Sequence, residues 1–149
     1  MFANILVAID GSPDAERALG HAIDLAACAN ARLTIFAAVP APPAFTYATP
    51  GASALAEIAE HAREETEAIV RAALERVPDS VGVASVVTDH PVRPALVEQI
   101  SAGRHDLVVM GSRGRGAVGS ALLGSVSHHV LHHGGVPVLI VPAGDRSAA

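Results

Sequence analysis

GSRGRGAVGSALLGS, residues 111–125, is the stretch from which this chain is best read. It follows the apolar run Leu107-Val108-Val109-Met110 and precedes a helical pattern over residues 126–133, so the order is strand, glycine-rich loop, helix. Glycine lets backbone turn tightly and approach a ligand closely, because no Cβ stands in the way. A helix starting just beyond such a loop offers unpaired N–H groups and the positive end of its dipole. Together these make an anion site, and phosphate is its usual occupant.

The spacing is Gly111-x2-Gly114-x9-Gly124-Ser125. A Walker loop requires lysine before Ser or Thr, and the chain contains no lysine. Gly114-Arg115-Gly116-Ala117-Val118-Gly119 matches G-x-G-x-x-G, but it begins beyond the strand end. No acidic residue follows at about 20 residues to hold a ribose, so the match is an accident of a glycine-rich loop. An ordinary strand-to-helix connection is the bland alternative, yet those run about 2–6 residues and this one is longer.

Working outward, 149 residues suit one compact domain with a real core. Half the residues are hydrophobic and mean hydropathy is +0.39, as in a globular chain. Tryptophan is absent and Tyr47 is the one tyrosine, which leaves few stacking platforms for bare bases. A net charge of −5 without a basic run argues against duplex nucleic acid. The opening MFANILVAIDGS has no basic segment and a short apolar run, unlike a signal peptide. No stretch approaches 18 uninterrupted apolar residues, so no membrane span is expected and the cytoplasm is the default compartment. The single cysteine, Cys28, falls in an apolar helical pattern and is expected to be buried packing.

Residues 5–9 form a short apolar run ending in Asp10-Gly11-Ser12-Pro13. This reads as a buried strand, a turn and a helix start, with Ser12 as N-cap and Pro13 at the first helical position. Asp14 and Glu16 favour the positive end of that helix. Ala15, Ala18, Leu19, Ala22, Ile23, Ala26 and Ala29 repeat at helical spacing as its apolar face. Asp10 ends a buried strand, the edge at which open α/β sheets bind ligands; it is either a functional carboxylate or a turn residue capping Gly11 or Ser12.

Residues 33–39 read as a second strand. The segment 40–51 is long for a connection, as functional lids, interface pieces and partly disordered segments are, and a lid over a ligand is the expectation taken forward. A helix from Ser53 presents Leu55, Ile58, Ala62, Ile69, Ala73 and Val77 on one face, with Glu67 and Arg71 spaced for an ion pair on the other. A third strand covers residues 81–88, a short helix opened by Pro94 runs to Ile100, and Gly103 ends it. A fourth strand covers 106–110, a helix 125–133, and a fifth strand 136–141 with Pro137 near its start. This βαβαβαβαβ alternation means a parallel sheet with helices on both faces and right-handed crossovers. Asp10 and Gly111 then both stand at C-terminal strand ends.

His128, His129, His132 and His133 form two i,i+4 pairs, the spacing at which one helix face offers two metal ligands. No Cys, Asp or Glu stands nearby as a third ligand, and histidines also suit the negative end of a helix, so no metal site is assigned.

Taken together, VAIDGS, DLVVMGSRGRG, LLGSVS and VPVLIVP resemble the universal stress protein family over nearly the whole chain. The Gly111-x2-Gly114-x9-Gly124-Ser125 spacing resembles that of the family's ATP-binding subclass. The resemblance implies a Rossmann-like α/β fold whose five-stranded parallel sheet has order 3-2-1-4-5. It implies ATP as ligand, with or without Mg; Asp10 at the base end with Ala8 beside it; backbone near Ala38 at the adenine edge; and Met110 and Gly111 along the ribose. It further implies Gly114, Gly124, Ser125 and Val126 around the phosphates, with Arg113 and Arg115 either adding charge there or facing solvent. Homodimers through the last strand are implied too. His90 and Val92 depart from the family's usual Gly and Pro after the third strand. The implied function is a nucleotide-dependent stress or signalling module. A slow ATPase or phosphotransferase and a nucleotide-free dimeric adaptor are the alternatives, and no catalytic residue stands out.

Overall fold

In the computed structural model, which describes residues 1–42, 51–114, 123–142 and 144, five strands and four helices alternate along the chain. They are β1 Asn4–Ala8, α1 Pro13–Ala29, β2 Arg32–Ala38, α2 Ala52–Glu75, β3 Val83–Thr88, α3 Val92–Ala102, β4 Leu107–Gly111, α4 Ser125–His133 and β5 Val138–Val141. The strands form one sheet in the order β3-β2-β1-β4-β5, every pair parallel. Ile5 pairs with both Leu33 and Leu107, so β1 lies at the centre between β2 and β4.

Strand alternation divides the core in two. Ile5, Val7, Leu33, Ile35, Leu107 and Val109 face one way and pack with Ala18, Leu19, Ala22 and Ile23 of α1 and Val70 and Ala73 of α2. Leu6, Phe36, Val108 and Met110 face the other way, against Leu96 and Ile100 of α3 and Val130 of α4. The central strands are apolar on both faces because helices cover both, the pattern of parallel sheets. Each fully buried Leu, Ile, Val or Phe contributes about 1.5–3 kcal/mol of transfer free energy. The small alanines of α1 let that helix sit close on the sheet.

Local chemistry sets the element ends. Ser12 caps α1, its Oγ accepting the Ala15 N–H at 3.3 Å, with Pro13 in the first turn. Asn30 ends α1 in the left-handed conformation, at φ 51°. The helix expected to open at Pro94 begins at Val92, with Pro91 as its cap. Pro94 therefore sits inside the first turn, where a missing N–H costs nothing. The third strand starts at Val83 instead of 81, because Val81 turns back, its N–H bonded to the Pro78 carbonyl at 2.9 Å. The fifth strand starts at Val138 instead of 136. Pro137 has no N–H for the ladder, although its carbonyl still accepts the Val108 N–H at 3.0 Å.

Two further expectations are corrected. Cys28 is exposed, because it lies off the α1 face carrying Ala22, Ile23 and Ala26. Glu67 pairs with Arg63, one turn before it, at 3.1 Å, and not with Arg71; the Arg63 guanidinium also meets Asp89 at 2.6 Å. Ile58, expected on the apolar face of α2, is 42% exposed. Among the described residues no helix is long and apolar enough to cross a membrane. The lid expected at 40–51 falls mostly on residues 43–50, which lie outside the described residues, as do Arg115 and the loop positions to 122.

Candidate functional site

The C-terminal ends of β1 and β4 are neighbours, but their chains leave toward opposite faces: β1 feeds α1, and β4 feeds α4. This is a topological switch point, where such sheets open a crevice. A cavity of about 640 Å³ occupies it, lined by residues from β1, β2, β4, the β3–α3 turn and the start of α4. Its size falls among those of small-molecule and cofactor sites, which run to roughly 300–1,000 Å³.

Of the positions implied by the resemblance, Arg115 lies outside the described residues, and Ala8, Asp10, Ala38, Met110, Gly111, Arg113, Gly114, Gly124, Ser125 and Val126 line this one cavity. Asp10 adopts the turn geometry that was one of its two readings, Oδ1 accepting the Ser12 N–H at 2.9 Å. The same carboxylate also faces the glycine loop, since a Cβ built on Gly114 would stand 2.6 Å from Oδ2. One aspartate thus braces the β1–α1 turn and meets the loop after β4, so the two readings are not exclusive.

The glycine loop is held at both ends. On the entry side the Ser112 N–H donates to the Val141 carbonyl at 2.8 Å, extending the β4–β5 ladder. Across the loop the Gly124 N–H donates to the Ser112 carbonyl at 2.6 Å, bringing the two ends together. From α4 the buried Ser127 hydroxyl donates to the Gly111 carbonyl at 2.8 Å. Gly111 is pressed so closely on α1 that a Cβ there would lie 2.6 Å from the Asp14 Cβ. Gly124 precedes α4 in an extended conformation and, as glycine, brings no side-chain cap of its own. The first turn of α4 stands at the cavity wall, with Ser125 exposed, and the leading N–H groups of a helix have no partner within the helix itself.

Several lining residues were not found from the sequence. Phe36 lies at the end of the cavity formed by β2, and Asp89, His90, Pro91, Val92 and Arg93 form a wall from the β3–α3 turn. His90, noted earlier only as a departure from a family pattern, has its N–H bonded to the Thr88 hydroxyl at 3.1 Å. Asp14 was read as a favourable charge at a helix start. It does stand in the first turn of α1, and it is also buried, its Oδ2 accepting both the Ser112 hydroxyl at 3.0 Å and the Arg113 N–H at 3.2 Å. Knowing that β1 and β4 are adjacent would have revealed it. The charged groups around the cavity have mixed sign: Asp10 and Asp89 against Arg93 and Arg113. The hydrogen bond and charge of Asp89 hold the exposed Arg63 guanidinium above its ordinary pKa.

The geometry has close counterparts. The model of the universal stress protein family matches residues 1–142. A universal stress protein of Mycobacterium tuberculosis is 34% identical over 97% of this chain, which spans 49% of that protein. The chain spans about half the length of the first curated relatives it matches. A universal stress protein of Thermus aquaticus is 35% identical, with 95% of this chain and 99% of that protein covered. Among solved structures, hypothetical protein MJ0577 shares the fold at a TM-score of 0.83 and 21% identity, over 97% of this chain and 99% of that one. A universal stress protein solved in complex with cAMP has a TM-score of 0.67 and 28% identity, over 95% and 98%. A family member from Arabidopsis thaliana, solved with AMP bound, shares the fold at 0.63 and 16% identity, over 99% and 95%. With its order β3-β2-β1-β4-β5 and a family match across nearly its whole length, the chain belongs to the universal stress protein family.

Proposed function

We propose that this chain is one nucleotide-binding domain, residues 1–149, that takes ATP in the cavity between β1 and β4. It would act in the cytoplasm as a stress-response or signalling module whose occupancy alters its partners. The observation that carries the reading is the pairing of a glycine loop pinned between Ser112 and Gly124 with the start of α4 on the same cavity. Backbone N–H groups of Gly124, Ser125 and Val126 then serve the phosphates, with the Ser125 hydroxyl and Arg113 adding to them. Met110 and Gly111 run along the ribose, and Ala8, Asp10 and Ala38 take the base end. The adenine nucleotides in the related structures support this class of ligand.

ATP, with or without Mg, is the preferred ligand because Arg113 and the α4 start offer more than one phosphate group a partner. The chain lacks a P-loop lysine, and binding alone does not lower a barrier, so any hydrolysis is slow. We further propose a homodimer through β5, which is an edge strand with Leu139 exposed; a monomer mass by light scattering would sink that part.

Mass spectrometry on denatured protein after gentle purification, followed by calorimetric titration with ATP, AMP and cAMP, tests the reading. Micromolar ATP binding that Gly124→Leu abolishes is expected. A side chain there presses on the Ser112 carbonyl, which already stands 3.2 Å from a built Cβ. No heat with any of the three nucleotides would leave a dimeric adaptor with a structural glycine loop. Turnover compared with Ser125→Ala separates a binder from an ATPase.

A further inference from the structure

The last two turns of α4 carry four imidazoles in two pairs. The rings of His129 and His133 are stacked, with centroids 4.3 Å apart and planes 21° from parallel. Those of His128 and His132 meet edge to face, at 4.5 Å and 75°. The first pair is the better prepared to chelate. His133 Nδ1 lies 2.9 Å from the His129 carbonyl oxygen. A carbonyl only accepts, so Nδ1 carries the proton and the Nε2 lone pair of His133 points away from the backbone. A backbone carbonyl fixing the tautomer in this way is the usual support of a metal-binding imidazole. Metal–nitrogen bonds of about 2.0–2.1 Å hold two ligand nitrogens at most about 4 Å apart, a spacing within reach of rings 4.3 Å apart, but the near-parallel planes require the His129 ring to turn about its side-chain torsions before its in-plane lone pair meets that of His133.

From this geometry we propose that His129 and His133 form a bidentate site for a late divalent transition metal, Cu2+ above Zn2+. Among the described residues no group of three His, Cys, Asp or Glu is placed to hold a metal, so water completes the coordination. The ion would sit at the negative end of the α4 dipole, which favours a cation. Arg93 on α3 opposes it. The pair spans the C-terminal half of α4, with His129 one turn beyond Ser125, and does not depend on the nucleotide reading.

The test is calorimetric titration of the tag-free full chain with Cu2+ and with Zn2+ at pH 7.5, alongside NMR of the histidine ring protons. One Cu2+ per chain is expected, tighter than Zn2+ as the general order of divalent affinities requires. Losing even a supporting partner of a ligand costs 10–100-fold, so His133→Gln should weaken Cu2+ binding by about tenfold or more. Arg93→Ala should tighten it, and the ring signals of His129 and His133 should move first. The proposal is overturned by no binding, by binding that survives the His129→Gln, His133→Gln double variant (adventitious surface binding only), or by loss of binding with His128→Gln, His132→Gln instead. All four rings sit at the helix end with no place in either core, so the variants should fold; circular dichroism checks it.

Discussion

The carboxylate of Asp14 and the hydroxyl of Ser112 meet at 3.0 Å, although 98 residues separate them along the chain. Asp14 opens α1 and Ser112 follows β4, so this buried bond ties the first helix to the mouth of the glycine loop. The Arg113 N–H joins the same oxygen at 3.2 Å. The loop's entry is thereby set by a side chain outside it, and the negative carboxylate sits at the positive end of α1.

Replacing Asp14 by alanine would leave the Ser112 hydroxyl and the Arg113 N–H without this partner in a buried place. A cost of about 1–3 kcal/mol is expected for the buried Ser112 hydroxyl left without its acceptor. Asp14→Asn retains an acceptor oxygen and should lose less than half as much. Urea denaturation of the three proteins measures this, and equal losses for both variants would mean that the hydrogen bonds contribute little.

Gly114 is exposed, so a side chain there has little effect on the core. Its Cβ would nonetheless stand 2.6 Å from Asp10 Oδ2 and force that carboxylate aside. Gly114→Val should weaken ATP binding by about a hundredfold, roughly 2.7 kcal/mol, while the melting temperature changes little. Retention of wild-type affinity in calorimetry would remove Asp10 and Gly114 from the binding surface.

His105 is 7% exposed, and burial lowers its pKa below the ordinary histidine value, against the smaller opposing effects of the Asn4 carbonyl and Asp106. A lowered folded pKa means that the unfolded chain binds the proton more readily. The stability tied to the neutral ring is therefore complete above the unfolded value of about 6.5 and is lost as pH falls below it toward the folded value. Melting temperatures of the wild type should fall more between pH 7.5 and 5.5 than those of His105→Gln. Parallel curves would show that His105 does not carry the acid sensitivity. His129, shifted the same way, adds to the loss in both proteins.

Leu96 is fully buried on α3 in the core that includes Leu6, Phe36, Val108 and Val130. Leu96→Ala leaves a cavity there and should cost about 2–5 kcal/mol. The helix also supports the wall carrying Pro91, Val92 and Arg93, so ATP affinity should fall with stability. A cost under 1 kcal/mol in urea titration would mean that α3 collapses onto the gap.

The sequence by itself determined the alternation of strands and helices, because apolar runs of strand length and the α1 repeat from Ala15 to Ala26 carry the period of their own structure. It also marked Ser12 as a cap, the two ends of α4, and Asp10, Gly111, Gly114, Gly124 and Ser125 as candidates from their place at strand ends and in the glycine loop, while Ala8, Ala38, Met110, Arg113 and Val126 came only through family resemblance. The sheet order came only through family resemblance. Tertiary structure alone decided what depends on neighbours distant in the chain. Asp14 became a buried hydrogen-bond acceptor because β4 lies beside β1. Cys28 turned outward because the α1 apolar face is narrower than its run of small residues suggests. Arg63 found Asp89 across the α2–β3 contact. Strand starts slipped by two residues at Val83 and Val138, where Val81 folds back on Pro78 and Pro137 lacks a donor. Whether a residue extends a strand depends on a hydrogen-bond partner on another strand, and composition along one chain does not record that partner.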